Sequence, residues 1–70
     1  MNSDLLKNKL REVGISEEDM AKAMGISKEA LENRLNGKTE FTLKDIIAVV
    51  QILGLDRRET GQIFFGTEVS

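Results

Sequence analysis

Apolar residues recur along the chain at helical spacing, in stretches separated by glycines and short polar segments. In the first stretch, Leu6, Leu10 and Val13 fall at positions i, i+4 and i+7, so on a helix they form one stripe. Asn2 or Ser3 can cap this helix, because their side-chain oxygens accept hydrogen bonds from the free amides of a first turn. The pattern predicts a first helix that ends at Val13 and buries this stripe.

Residues 16–38 contain two short amphipathic segments, which are joined by the three residues from Gly25 to Ser27. Ser16 can cap the first segment and Asp19 can return a bond to the Ser16 amide, which is a capping-box arrangement. Ser27 repeats the cap before the second segment. Gly25 can adopt the left-handed conformation that ends a helix. Two helices with so short a connection cross at a steep angle, so the pattern predicts a helix-turn-helix.

A fourth helix is predicted to begin at Thr42, where Asp45 has the spacing of a capping box, and to stop at Gly54. Its β-branched residues would suit a strand equally well on propensity. The capping box, the length and the terminal glycine together favour a helix. This helix is the most apolar, which predicts a central position for it; its apolar residues include Ile46, Ile47, Val49, Val50 and Leu53.

A short fifth helix is predicted from Arg57 to Phe64, because Asp56 and Glu59 repeat the capping-box spacing. Gly61 inside this helix costs about 1 kcal/mol relative to alanine. The fifth helix is therefore predicted to be the least stable of the set.

Three consecutive large apolar residues, Ile63, Phe64 and Phe65, end the last helix. One helix face cannot bury all three, so we expect at least one aromatic side chain to project outward or to pack on a partner. These residues are a candidate surface for self-association or for a partner protein. The whole chain is predicted to be one all-α domain of five helices, with an ordered core over residues 3–65 and a short tail over residues 66–70.

Residues of characteristic type and spacing mark the two central helices, their turn and their exit: Ala21, Gly25, Ser27, Leu31, Asn36, Gly37 and Lys38. At these positions the chain resembles the phage repressor and Cro family of helix-turn-helix proteins. The resemblance extends weakly over the rest of the chain to about Phe65. It implies a compact lambda-repressor-like bundle that binds double-stranded DNA and regulates transcription.

On a helical wheel, Leu31 and Leu35 of the second central helix point one way and most of its polar residues point the other. In the resembled family, the amino end of this helix enters the major groove and reads base edges. Carried over by position, the base-reading residues are Lys28, Glu29, Glu32 and Asn33. The candidates for phosphate contacts are Ser27, Asn36, Lys38 and Thr39, with Lys22 and Lys44 as further candidates.

Each base-reading side chain has chemistry that suits a base. Lysine donates to O6 and N7 of guanine, asparagine pairs bidentately with adenine, and glutamate accepts from N4 of cytosine. The alternative is that Lys28 and Glu32, four residues apart, form a surface ion pair worth roughly a few tenths of a kcal/mol. For Glu29 and Glu32 both interpretations stay open.

Two residues depart from the family pattern. Glu17 stands where the family often places a glutamine against a phosphate, and a carboxylate there would be repelled. This departure lowers the expected affinity for DNA. Arg34 stands where the family usually buries an aliphatic residue, so we expect Leu35 to take over the packing. The second departure leaves the tilt of the helix open.

Composition narrows the function further. The chain has 70 residues, a net charge of −2, and neither cysteine nor histidine. Without the commonest general base, nucleophile and metal ligands, we expect no enzymatic activity, no cofactor and no metal site. No apolar run is long enough to span a bilayer, so we expect a soluble cytoplasmic protein of a prokaryotic or phage-infected cell, with no membrane partner. The negative charge predicts modest non-specific affinity for DNA.

Two functions remain open. The first is a sequence-specific DNA-binding regulator of the Cro or small-repressor type, which would bind its operator as a homodimer or pair up on DNA. The second is a protein-binding module, such as an anti-repressor, that uses its acidic face against a repressor or another basic partner. The charge deficit and Glu17 are what favour the second function.

Overall fold

A computed structural model describes residues 1–66 of the protein. The described chain forms five helices and no strand, which confirms the predicted all-α fold. Of the tail predicted over residues 66–70, all but Gly66 lies outside the described residues. The helices are α1 (Ser3–Val13), α2 (Glu17–Met24), α3 (Lys28–Leu35), α4 (Leu43–Leu53) and α5 (Arg57–Phe64).

Side-chain caps begin every helix at the predicted residue. Asn2 caps α1, since its Oδ1 accepts the Leu5 amide at 3.1 Å. The predicted capping boxes at the starts of α4 and α5 are complete. At α2, by contrast, only half of the predicted box forms: the Ser16 hydroxyl accepts the Asp19 amide at 3.1 Å, and the Asp19 carboxylate returns no bond to it within the described chain.

The core lies where α4 packs against α1 and α2, and Val49 at its centre is fully buried. The predicted position of Val13 in this core is wrong, because Val13 is 43% exposed. The chain turns back at Gly14 (φ 83°), and the Ile15 amide donates to the Leu10 carbonyl at 2.9 Å. This closing turn lays Ile15 over the end of α1, so Ile15 packs against the core in the place predicted for Val13.

Two sets of contacts hold the bundle together. The second helix packs against both α3 and α4, while α1 packs against α5 and α4. The Lys9 ammonium lies 2.6 Å from a Glu59 carboxylate oxygen, which ties α1 to α5. The same hydrogen bond raises the pKa of Lys9 and holds the pKa of Glu59 below its ordinary value. The result is a rigid frame that carries the α2–α3 unit on one side.

Candidate nucleic-acid interface

The unit formed by α2 and α3 has the geometry of a helix-turn-helix. The first helix ends at Gly25 (φ 74°), where the Ile26 amide donates to the Ala21 carbonyl at 3.0 Å. Ser27 then caps α3 through a 3.0 Å bond from the Ala30 amide. Ala21 is 2% exposed, so its small side chain allows the two helices to pack closely. The turn thus sets α3 across α2 with little freedom between them.

The polar side of α3 faces outward because the two leucines on its opposite side are buried in the core. Leu31 and Leu35 are 1% and 4% exposed. The candidate base-reading residues therefore share one outer surface, which we call the recognition face and define by Lys28, Glu29, Glu32 and Asn33. The first two are exposed and the last two half-buried.

Lys28 and Glu32 approach each other on this face. The Lys28 Nζ atom lies 3.9 Å from Glu32 Oε1, and both side chains remain about half exposed. The surface ion pair considered as an alternative is therefore present in the free protein. A solvent-exposed pair of this kind is weak, so it does not prevent either side chain from turning to a base.

The candidate phosphate contacts lie around the two ends of α3. Ser27 precedes the helix, while Asn36, Lys38 and Thr39 follow it, and all four are exposed. The segment after the helix folds back on α3, since the Asn33 carbonyl accepts the amides of Lys38 and Thr39 at 2.9 and 3.3 Å. These residues are thus held beside the recognition face.

The α2–α3 unit carries more negative than positive charge, because five carboxylates in residues 17–35 stand against two lysines and one arginine, which gives a net charge of −2. Lys22 pairs with Glu18 at 3.7 Å, as Lys28 pairs with Glu32. The first turn of α2 carries Glu17, Glu18 and Asp19, which oppose the favourable field that a helix start offers to a phosphate. Lys38 has no carboxylate partner within the described part of the chain. It is therefore the cation of the unit most available to DNA.

Arg34 occupies an inner position at the end of α3. Its side chain is 19% exposed, and its Nε donates to Asp45 Oδ2 at 3.0 Å. Its Nη1 also donates to the Ala30 carbonyl at 3.1 Å, one turn earlier. Leu35 takes over the packing, as the sequence indicates.

Asp45 was not singled out by the sequence as a partner of Arg34. The available signal was the position of an arginine on the inner side of α3, which requires a buried acceptor. Burial alone would raise the pKa of Asp45, but hydrogen bonds from the Thr42 amide and the Arg34 guanidinium outweigh it and hold this pKa below its ordinary value. Asp45 is therefore charged at neutral pH.

The three apolar residues at the end of α5 divide between core and surface. Ile63 and Phe64 are 3% and 8% exposed, and the Phe64 ring meets the Phe41 ring edge-on at a centroid distance of 5.3 Å. The surface suggested for all three residues is thus wrong for these two. Phe65, in contrast, is 60% exposed, so it is the aromatic residue that projects outward.

An apolar groove adjoins Phe65 between α4 and α5. Val50, Leu55 and Gly61 line it, while Arg57 and Arg58 stand at its rim. On α4, Leu43, Ile47 and Val50 share one stripe at positions i, i+4 and i+7, and the first two are well exposed. We call the set of Leu43, Ile47, Val50 and Phe65 the apolar face.

Other chemistry finds little support in the described residues. No cluster of three or more carboxylates among residues 1–66 could hold a metal ion. None of the five described helices is long and apolar enough to cross a membrane.

Comparison with known families agrees with this geometry. The model of the helix-turn-helix family matches residues 6–59, which is more than half of the chain. The chain therefore belongs to the helix-turn-helix family, in the branch that includes the phage repressors and Cro, and members of this family are DNA-binding regulators. No curated protein and no solved structure matches the chain at a significant level.

Proposed function

We propose that this protein is a sequence-specific transcriptional regulator of the Cro or small-repressor type, which places α3 in the major groove of its operator. The observation that carries the proposal is the recognition face itself, a polar surface exposed on the second helix of a helix-turn-helix whose apolar residues are buried. In this arrangement Lys28, Glu29, Glu32 and Asn33 read base edges. The phosphates are contacted by Ser27, Asn36, Lys38 and Thr39.

The net negative charge of the α2–α3 unit limits how such a protein can bind DNA. Non-specific affinity for DNA comes almost entirely from cations that replace counterions at the phosphates. Because two of its lysines are paired to glutamates, this unit gains little non-specific affinity from the release of counterions. Binding must then depend on hydrogen bonds to bases, which favours a regulator that is selective at modest affinity.

We also propose that the protein acts as a dimer, either in solution or on DNA. One α3 spans only a few base pairs, and the family reaches useful specificity by placing two such helices about 34 Å apart on one side of the duplex. The apolar face supports self-association because it leaves an aromatic and two aliphatic side chains in water.

A second candidate function is supported by charge. The net charge is −2, and three carboxylates cluster on the first turn of α2. An acidic helix start of this kind suits a basic protein surface better than a phosphate. In that case the protein is an anti-repressor or modulator that uses the fold to bind a repressor or another basic protein.

Selection from a library of random duplexes by the purified protein distinguishes these functions. A regulator enriches one sequence, and gel shifts at low and physiological salt then show tighter binding to that duplex than to a scrambled one. The protein's own upstream DNA is a natural second probe. If no sequence is enriched at either salt concentration, DNA recognition is excluded and the protein-binding function replaces it.

A further inference from the structure

The carboxylate of Asp45 joins two helices that are consecutive in the chain. Its Oδ2 atom accepts the Thr42 amide at 2.9 Å, which closes the capping box of α4. The same oxygen accepts Arg34 Nε at 3.0 Å from the last turn of α3. One oxygen atom therefore fixes the end of α3 to the start of α4.

The segment between these helices carries three of the four proposed phosphate contacts. It leaves α3 at Asn36 and reaches α4 at Thr42. Its first half is held by the Asn33 carbonyl, as described above, and its second half by the Phe41 ring, which packs on Phe64. The Arg34–Asp45 pair closes the base of this loop.

At this position polar contacts hold α3 in place of apolar packing. Arg34 lies on the inner side of α3, and its guanidinium donates hydrogen bonds that need acceptors. Both of its recorded acceptors, the Ala30 carbonyl and the Asp45 carboxylate, lie in partly buried surroundings. Removal of either charge would leave the other without its partner in a site with little water.

We propose that the Arg34–Asp45 pair is a positioning joint, which sets the tilt of α3 and holds residues 36–41 in the conformation that meets DNA. Neither side chain needs to touch DNA for this role. The consequence for binding depends on the proposed DNA-binding function. The effect on the loop does not, so the two can be tested apart.

The main test compares two variants of the full chain. Arg34→Met removes the guanidinium and keeps a long apolar side chain. Arg11→Met is the matched control, because it removes the same charge from an exposed arginine that bonds to Asn8 within α1. On the duplex selected by the wild type, we expect Arg34→Met to bind about tenfold more weakly, the cost of one misplaced base contact. On a scrambled duplex the two variants should match within about twofold, because both lose one charge.

A second readout needs no DNA. Hydrogen exchange of the Lys38, Thr39 and Thr42 amides reports how often the loop opens. We expect exchange at these amides to be about tenfold faster in Arg34→Met and unchanged in Arg11→Met. If no duplex is ever selected, the proposed function fails while this measurement still tests the joint.

The inference is overturned if Arg34→Met binds the selected duplex as well as Arg11→Met does, or if exchange is unchanged at all three amides. Should Arg34→Met fail to fold, Asp45→Asn takes its place, because its amide oxygen can still accept the Thr42 amide while the charge is gone. The same two criteria then apply, with Asp4→Asn as the matched control in place of Arg11→Met, because it removes the same negative charge from an exposed position on α1. If both variants unfold, the pair is required for the fold itself and a specific positioning role is excluded.

Discussion

The recognition face on α3 and the apolar face on α4 and α5 differ in how they meet water. On the recognition face, one lysine and one glutamate partly neutralise each other, and the remaining groups are hydrogen-bond donors and acceptors. On the apolar face, Leu43 is 71% and Phe65 60% exposed, with no polar group of their own to hydrate. One surface therefore suits a patterned polar partner, and the other suits an apolar one.

The difference between the two faces suggests how a domain with little positive charge can bind one partner selectively. A recognition face without excess positive charge gains little from phosphates, so a single copy binds weakly. Two linked copies gain from each other, because the second binding step becomes intramolecular and can add about 10²–10⁴ in avidity. In the proposed dimer, the apolar face provides this link. Changes to the two faces should thus have separable effects.

The largest effect is expected at the apolar face. Phe65→Ser should raise the dimer dissociation constant about 30-fold, because an exposed aromatic at the centre of an interface commonly contributes about 2 kcal/mol or more. Helical content should be nearly unchanged, since the side chain lies outside the core. Sedimentation with and without the selected duplex measures the change.

Val13→Ser is the control for that experiment, as it removes an exposed apolar side chain from α1. It should leave association unchanged. If the wild type is monomeric in every mixture, or if Phe65→Ser simply unfolds, the apolar face is not the self-association surface.

Most of the fold could be predicted because its signals are local. Caps such as Asn2, Thr42 and Asp56 act on amides three residues away, and the glycines act on their own φ angles. Such interactions depend on short spacing alone, which can be read from sequence. The end of α1, predicted at about Val13, and the bounds of α5, predicted at about Arg57 and Phe64, accordingly agree with the structure.

The incorrect predictions concern apolar residues that lie close together in the sequence, where tertiary packing determines which of them is buried. Val13 and Ile15 are both apolar, and only the path of the turn at Gly14 decides which of them packs on the core. Phe64 and Phe65 are adjacent at the end of α5 and differ only in their angular position on the helix. Phe64 is the one whose ring packs against Phe41. Those choices depend on the positions of other elements and leave no local signal.

The candidate site residues could be named from the sequence, and their roles stay predictions, whereas the contacts that support them were not foreseen. The family pattern places the base-reading candidates on α3, and in the structure they share one outer surface. The sequence could not identify Asp45 as the acceptor for Arg34, because the two residues are 11 positions apart and their contact depends on how α3 is tilted. An ion pair between two helices can be identified only when the positions of both helices are known.

The next largest effect is expected at Asn33 on the recognition face. If this side chain contacts a base, Asn33→Ala should cost about 1–3 kcal/mol on the selected duplex and far less on a scrambled one. Gel-shift titrations of both duplexes measure the ratio, with circular dichroism to check the fold. Asn8→Ala, an exposed change on α1, is the control. Equal losses on both duplexes would reduce Asn33 to a residue that only positions the protein.

A smaller effect of opposite sign is expected at the start of α2. Glu17→Gln removes a carboxylate from a helix start that faces the phosphates in the proposed complex, so every duplex should bind about threefold more tightly. Glu12→Gln, which makes the same charge change on α1, should give a smaller gain. Unchanged affinity in Glu17→Gln would mean that this helix start does not approach the DNA backbone, and would favour a protein partner.

The smallest effect separates the two interpretations of Glu32, and α2 offers a matched control for it. Glu32 pairs with Lys28 and Glu18 with Lys22, both one helical turn apart at 3.9 and 3.7 Å. Glu32→Gln and Glu18→Gln each release one lysine from its ion pair, so each variant should bind scrambled DNA about twofold more tightly. The affinity of each should also fall more steeply with salt concentration, by about the amount expected for one additional phosphate contact. Only Glu32→Gln should also alter the selected sequence, at the position where the glutamate accepts from cytosine N4. If repeated selection returns the same sequence for both variants, Glu32 belongs to the ion pair alone. The base contacts of the recognition face would then come from Lys28, Glu29 and Asn33.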